Sequence, residues 1–417
     1  MHETDKLTEK VILIAIDNSS GAVSTEDSLN ELRELSQTAG VEVVGELVQK
    51  RDGVHRAYYL GKGKLQELSD LISETGATGI ISDDELTNAQ IKNMEKILDT
   101  KIMDRTLLIL DIFAKNAITA EGKVQVELAQ LKYNLGHLAG IGTSLSRLGG
   151  GIGTRGPGEK KLEVDKRKIR VQITELNRQL EEIQIHRKVT REKRERSDVP
   201  VVAMVGYTNS GKSTLMNYLT NAGVLAENKL FATLDTVSRR LSLKGGSEAL
   251  FSDTVGFINK LPHALIKAFD ATLSELKFAD IIVHVVDSSM NIREEQMDVV
   301  YKTLESLGCM NKPIITAFNK IDKEISYPLP VDKHSVETVN ISALTGQGVD
   351  LLLDTIEDII NSFKRKIKVL IPYSEGALIS FIHSGCEILN EEHTDGGTVI
   401  ELFADDKTFN KLSKHFI

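Results

Sequence analysis

Apolar positions along the chain change period more than once, and each change marks a different kind of element. Residues 11–16, VILIAI, are a continuous apolar run and read as a buried strand. Ser28 to Ala39 carries helical spacing, VEVVGEL supplies a second strand, and ATGIIS, residues 77–82, a third after a helix around Lys64 to Glu74. Strands alternating with helices predict a small α/β domain over residues 1–112. Gly61-Lys62-Gly63-Lys64 lacks the spacing of a phosphate loop and reads as a turn.

The next segment, residues 113–198, steps differently. Val124, Leu128, Leu131, Leu135 and Leu138 are spaced by four and three, a heptad seam on a helix. Leu162, Ile169, Leu176 and Ile183 then recur every seven residues, with Ile173 and Leu180 at companion positions. This second helix is expected from about Glu159 to Arg196, roughly 57 Å at 1.5 Å per residue. Neither narrow stripe can bury itself, so an antiparallel helical hairpin is predicted, each stripe covering the other. Between the helices lies a stretch, 139–159, with eight glycines and no acid before Glu159. Such glycine density argues against regular structure because glycine loses most entropy on ordering. Arg147 and Arg155 make this tip loop cationic. A long loop of this kind at the end of an arm suits entry into a narrow site walled by phosphates.

From Val199 a second α/β unit begins. VPVVAMV, IIVHVVD and PIITAFN are near-continuous apolar runs, as parallel strands covered on both faces require. This unit is expected to end near Phe363, leaving residues 364–417, with VLIPYS, an apolar helix near Ala377 to Ile382 and TVIELFA, as a small C-terminal α/β domain without a chemical motif.

Composition narrows the class. With 417 residues the chain exceeds one ordinary domain, and two to four are expected. No apolar run reaches the ~18 residues of a membrane span, and MHETDKLTEK lacks the features of a secretory signal, so a soluble, cytoplasmic protein is expected. Cys309 and Cys386 alone offer no disulfide framework or cysteine metal site. The net charge of −9 hides a reversal: residues 155–196 carry a local +6, leaving −15 elsewhere. A basic segment in an acidic protein is either a footprint for nucleic acid or a solvated helix.

The chemistry concentrates between residues 206 and 344. Gly206-Tyr207-Thr208-Asn209-Ser210-Gly211-Lys212-Ser213 is a complete GxxxxGK[ST] loop between a strand and a helix opening at Thr214. Backbone N–H groups there cradle phosphates, Lys212 reaches the β/γ-phosphates, and the Ser213 hydroxyl ligates Mg²⁺. Asp253-Thr254-Val255-Gly256 has the DxxG form: Asp253 holds Mg²⁺ through water, and the Gly256 amide senses a γ-phosphate. Asn319-Lys320-Ile321-Asp322 ends a strand and supplies a carboxylate matching guanine N1–H and N2–H₂, which argues for GTP over ATP. Ser342-Ala343-Leu344 adds backbone donors for guanine O6. Switch I is expected between Val224 and Arg240, around Phe231-Ala232-Thr233-Leu234-Asp235; Thr233 or Thr236 supplies the second hydroxyl to Mg²⁺, Thr233 being preferred. Phe257 stands where a glutamine orients the attacking water in Ras-like GTPases, so slow intrinsic hydrolysis is expected. Asn209 offers a place for K⁺ beside the phosphates in lieu of an arginine finger.

Beyond these motifs, LSRLGGGIGTRGPGEKKLEVDKRKI (145–169), GYTNSGKST, KLFATLD, DTVGFINKLPHALIKAF and NKID resemble the HflX family of ribosome-associated GTPases. Thr236 stands where that family usually carries proline, and Lys160 where threonine is usual. The resemblance implies binding to the large ribosomal subunit and its rRNA, with Arg147, Gly149, Gly150, Gly151, Arg155, Lys160 and Lys161 as contacts. It also implies GTP-dependent separation of stalled ribosomal subunits under stress. An assembly GTPase for the large subunit, or a switch whose arm binds a protein, are the other readings. Expected partners are thus GTP, GDP and the large subunit, with the chain a monomer.

Overall fold

In the computed structural model the described residues are 9–18, 23–145, 157–195, 199–220, 230–231, 237–244, 247–260, 274–325, 327–404 and 406–417. The chain forms two compact units, Met1–Leu241 with Leu250–Gly346, and Ser242–Ala249 with Gln347–Ile417.

The first unit opens with β1 (Lys10–Asp17), α1 (Thr25–Ala39), β2 (Glu42–Lys50), α2 (Lys62–Thr75), β3 (Gly79–Ser82), α3 (Asn88–Leu98), β4 (Lys101–Asp104) and α4 (Arg105–Asn116). The strands make a parallel sheet in the order β2-β1-β3-β4. Strand alternation divides β1 between two cores. Val11, Leu13 and Ala15 join α1 and α4 on one face, while Ile12, Ile14 and Ile16 join α2 and α3 on the other. Ser24 caps α1 by accepting the Asp27 amide, and Thr87 with Gln90 forms a capping box on α3. Gly61 is the N-cap of α2 and Lys62–Lys64 its first turn, so the expected turn is a helix start. Sequence pattern does not mark α3, β4 or α4. The four residues of β4 are too few for a period, and TLLILDIF in α4 is apolar nearly all round. Helix α4 runs unbroken through position 113, where the second segment was expected to begin.

The predicted long helices are α5 (Ala120–Leu145) and α6 (Pro157–Glu195), and they pack against each other. Two expectations are corrected here. Glycines 140 and 142 lie inside α5, and Gly158 lies in the first turn of α6. Each glycine costs about 1 kcal/mol in a helix, and Pro157 at the first helical position is preset for it. Of the expected tip loop, 139–159, residues 139–145 and 157–159 are thus helical, and 146–156, with Arg147, Gly149, Gly150, Gly151 and Arg155, lie outside the described residues. Secondly, α5 does not bury its stripe on α6 alone. It also packs on α3 and α4, the Tyr133 hydroxyl donating to Asp104 at 3.0 Å and the His137 ring meeting Leu86 O at 3.1 Å.

The next strands along the chain are β5 (Val201–Val205), β6 (Val237–Ser242), β7 (Glu248–Asp253), β8 (Ile281–Asp287), β9 (Ile314–Asn319) and β10 (Glu337–Asn340), in the sheet order β10-β9-β8-β5-β7-β6. All neighbouring pairs from β10 to β7 are parallel, and β8 and β9 are buried throughout. Helix α7 (Lys212–Thr220) follows β5, and α8 (Arg293–Ser306) follows β8. One apolar core runs from Leu13 and Phe113 through Phe231, Phe257 and Ile258 to Phe318, so the two sheets are not separately packed bodies.

The second unit holds α9 (Val349–Ser362), β11 (Arg365–Ile371), α10 (Gly376–Gly385), β12 (Glu387–Thr394), β13 (Gly397–Ala404) and α11 (Asp406–Leu412). Its sheet is antiparallel, β11-β13-β12, over Ile367, Val369, Ile371, Ile382, Ile400 and Leu402. The division between units falls after Gly346, earlier than the expected Phe363. Among the described residues no helix is long and apolar enough to cross a membrane.

Candidate nucleotide-binding site

Parallel strands that reverse their winding leave a crevice at their C-terminal ends, and here β5, β7, β8 and β9 deliver the signature residues to it. The loop after β5 bends through Asn209 at φ 60° and Gly211 at φ 98° before α7 begins at Lys212. A β-carbon at Gly211 would lie 2.2 Å from Asn319 Nδ2, so only glycine fits. Lys212 is 6% exposed, and its ammonium donates to Gly206 O at 3.0 Å and Tyr207 O at 2.8 Å. Burial pushes its pKa down to about 8, with Asp253 pulling the other way and Lys320 adding to the decrease. A buried cation held by neutral carbonyls is a site short of negative charge.

Asp253 ends β7, and its Oδ2 accepts the Ser213 hydroxyl at 2.8 Å. Strand β7 thus sets a carboxylate beside the first-turn hydroxyl of α7, a pair of hard oxygens suited to Mg²⁺. Gly256 lies against the phosphate loop: a β-carbon there would stand 3.1 Å from Lys212 Nζ. Phe257 N donates to Gly206 O at 3.1 Å, and Thr208 N to Phe257 O at 2.7 Å, laying the segment after DxxG along the loop. The Phe257 ring is buried.

At the base-recognition end, Asn319 bridges two loops. Its Nδ2 donates to Ser210 O at 2.8 Å, and its Oδ1 accepts the Ala343 amide at 2.9 Å. Asp322 is exposed and accepts the Ser342 hydroxyl at 2.6 Å, whose oxygen also takes the Thr345 amide at 3.2 Å. Leu344 is exposed, while Ile321 is half-buried. Lys320 donates to Asn209 O at 2.7 Å and to Asp287 Oδ2 at 2.6 Å.

Several residues expected to face a nucleotide turn their side chains elsewhere. The Tyr207 hydroxyl donates to Glu31 of α1 and accepts the Asn259 amide at 2.7 Å. Thr254 donates to Met204 O at 2.7 Å, and Val255 is in the core. Phe231, at φ 57°, packs edge-on against Phe113 of α4 with ring centroids 4.6 Å apart, and its carbonyl accepts Asn116 Nδ2 at 2.7 Å. Only the backbone of these residues is left for a ligand. Ala232, Thr233, Leu234, Asp235 and Thr236 lie outside the described residues.

Sequence reasoning missed a polar seam beside the site. Lys260 reaches Asp83 and Asp84 at the end of β3, and Arg105 joins Asp83 and Glu31. Asp83 and Asp287 stand at or just past the C-terminal ends of apolar strands, a position that could have flagged them; Glu31 and Arg105 carried no signal.

Comparisons with known proteins decide the family. Residues 26–114 match a model described as GTP-binding GTPase N-terminal, 116–194 the GTP-binding GTPase middle region, 201–320 the 50S ribosome-binding GTPase, and 331–415 the HflX C-terminal domain. The chain belongs to the HflX family of GTPases. A GTPase HflX of Lacrimispora saccharolytica is 50% identical, covering 99% of this chain and 97% of its own length. That of Caldanaerobacter subterraneus is 47% identical over 96% and 92% of the two chains, and that of Escherichia coli 38% over 89% and 88%. Among solved structures, a GTP-binding protein of Sulfolobus solfataricus in complex with GDP superposes with a TM-score of 0.45 at 25% identity, covering 85% of this chain and 99% of that one. This HflX-family member binds guanine nucleotides and hydrolyses GTP.

Proposed function

We propose that this GTPase acts on the large ribosomal subunit, binding in its GTP state, prising apart stalled 70S ribosomes under stress and leaving on hydrolysis. The observation that carries the reading is the α5–α6 pair. A 26-residue helix and a 39-residue helix are joined by a tip holding Gly149, Gly150, Gly151, Arg147 and Arg155. A net +6 over residues 155–196 favours a polyanion, and binding through phosphates would weaken steeply with salt. Lys160 and Lys161 continue that charge at the start of α6. A match to a 50S ribosome-binding GTPase model supports the same partner. The cytoplasm and a monomeric state accompany this reading.

In the nucleotide site, Lys212 would exchange its carbonyl partners for β/γ-phosphate oxygens, and the N–H groups at the start of α7 would face the same charge. Ser213 and Asp253, with Thr233 from switch I, would hold Mg²⁺, which when bound neutralises phosphate charge. Gly256 N–H would report the γ-phosphate, while Asp322 reads guanine between Lys320 and the Ser342–Leu344 loop. No side chain at Phe257 can orient water, so intrinsic turnover is slow and a partner accelerates it. Asn209 stands in the phosphate loop, where its side-chain oxygen would ligate K⁺; equal turnover in K⁺ and Na⁺ buffers would remove that role.

Sucrose-gradient sedimentation of purified 70S ribosomes with the protein and a non-hydrolysable GTP analogue tests the proposal. Conversion to subunits supports it, and substitution of Arg147 and Arg155 should abolish conversion while sparing basal GTPase activity. Co-migration only with a precursor subunit would favour an assembly role, and no ribosome binding a protein-binding switch.

A further inference from the structure

The loop that reads the base and the loop that grips the phosphates are tied together by a residue outside every nucleotide signature. Asp287 is the last residue of β8 and is buried. It pairs in register with Asn319, the last residue of β9, and Ser288 N donates to Asn319 O at 2.9 Å. Its two carboxylate oxygens take different partners. Oδ1 accepts the Ser289 amide at 3.0 Å and the Ser289 hydroxyl at 2.6 Å, which fixes the carboxylate against its own turn. Oδ2 accepts the Lys320 ammonium at 2.6 Å.

Lys320 needs such an anchor. It sits at φ 67°, a left-handed conformation that a lysine adopts only under constraint, and its side chain is 18% exposed. The same ammonium donates to the carbonyl of Asn209, itself at φ 60°. An ammonium carries three donors in no fixed plane, so one neutral acceptor does not hold it in place. A charge-assisted bond to a carboxylate that is itself immobilised does.

We infer that Asp287 is a positioning residue of the guanine site: by holding Lys320 it locks the Asn209 turn of the phosphate loop to the base-recognition strand, and so slows nucleotide release. The inference rests on the assignment of Lys320 and Asn209 to the nucleotide site. Asp287 acts through Lys320.

Dissociation of a fluorescent N-methylanthraniloyl GDP, chased with excess GDP, tests it in the full-length protein. Asp287→Asn should release the nucleotide about tenfold faster and raise KM for GTP similarly, with kcat at saturation changed less than twofold. Lys320→Met should release it at least as fast, and the double variant no faster than Lys320→Met alone, because both changes remove one connection. Ser289→Ala, which removes the hydroxyl bond to Oδ1 but keeps the amide bond and the Lys320 bond, should speed release less than Asp287→Asn does. A merely structural role would lower thermal stability without this split between KM and kcat. An Asp287→Asn rate within twofold of wild type, or multiplying effects in the double variant, overturns the inference. Should Asp287→Asn fail to fold, Asp287→Glu keeps the charge but displaces the ammonium from Asn209 O; a threefold faster release supports the inference and a wild-type rate refutes it. Failure of the wild-type protein to bind the probe would refute the nucleotide-site assignment instead.

Discussion

Truncating Asn319 to alanine should weaken guanine nucleotide binding far more than the loss of one side chain on a surface loop would suggest. The amide is 2% exposed and serves the phosphate loop with one end and the Ser342–Leu344 loop with the other. Removal leaves the Ala343 N–H and the Ser210 carbonyl without these partners. Each neutral bond contributes about 1 kcal/mol net, and a buried group left unsatisfied costs about 1–3 kcal/mol. Water entering the vacated space recovers part of that, so a net loss of about 2–3 kcal/mol follows, or roughly 30- to 150-fold in Kd. The loss should appear in the dissociation rate, since the charge that steers association is unchanged. Stopped-flow association and chase experiments with a fluorescent GDP separate the two. Asn319→Asp retains an acceptor for Ala343 but presents an acceptor to Ser210 O, and it should do no better than alanine. If both variants bind within threefold of wild type, or if the loss lies in association, the bridge does not organise the site.

Asp322→Asn should erode the preference for guanine by about two orders of magnitude, since a carboxylate accepting two donors is replaced by an amide that accepts one; competition by ATP and xanthine nucleotides against fluorescent GDP measures it, and an unchanged preference would remove Asp322 from base recognition. His284, wholly buried in β8 with Nδ1 lacking a hydrogen-bond partner among the described residues, has its pKa lowered to about 4 by burial, with Asp332 opposing and Lys212 reinforcing the shift. The unfolded chain binds its proton near pH 6.5, so this contribution to stability is complete above that pH and falls as pH drops through the window from 6.5 to 4. The loss is about 2 kcal/mol between pH 7 and 5. Urea unfolding followed by circular dichroism should show His284→Leu less sensitive to that change than wild type; equal slopes would contradict it.

The nucleotide signatures were legible because each combines an unusual composition with a fixed place after an apolar strand. VVAMV, EALFS and PIITAF are strands in the structure, and their C-terminal ends carry Gly206, Asp253 and Asn319. The α5–α6 pair was legible from its seven-residue period, since Leu176 is the buried residue on a helix otherwise exposed or half-buried where described. Its glycines misled, because a propensity of about 1 kcal/mol per glycine is a weak guide within a long helix. Elements such as α4 escaped for the opposite reason: TLLILDIF buries Leu108, Ile109, Leu110, Ile112 and Phe113 on several sides, which erases the amphipathic signal. Least legible was the division of labour within motifs. Tyr207 and Thr254 occupy nucleotide-loop positions, yet their hydroxyls bind Glu31 and Met204. Such assignments depend on partners 50 or more residues away, which local pattern does not carry.

Distant partners also hold Phe231 against α4 and Lys260 against the end of β3. Phe231, two residues before Thr233, is held by Phe113 and Asn116, and Lys260, four residues after Gly256, by Asp83 and Asp84. Any shift of the segment after Gly256 must break or carry the Lys260 contacts. They are not equally strong. The Lys260–Asp84 pair is 39% and 32% exposed, so solvent screening leaves it worth less than about 1 kcal/mol. Arg105 and Asp83 are each 2% exposed and 2.7 Å apart, and separating such a pair without replacement costs about 3–5 kcal/mol. Asp83 also accepts Ser28 at 2.8 Å and keeps Arg105 when Lys260 leaves, so its charge stays compensated. The seam therefore divides into a buried inner pair, Arg105–Asp83, and a more exposed outer lysine, Lys260, that shares Asp83. Lys260 can loosen from Asp83 and Asp84 while Phe257 and Ile258 stay in the apolar core shared with the N-terminal sheet and α4.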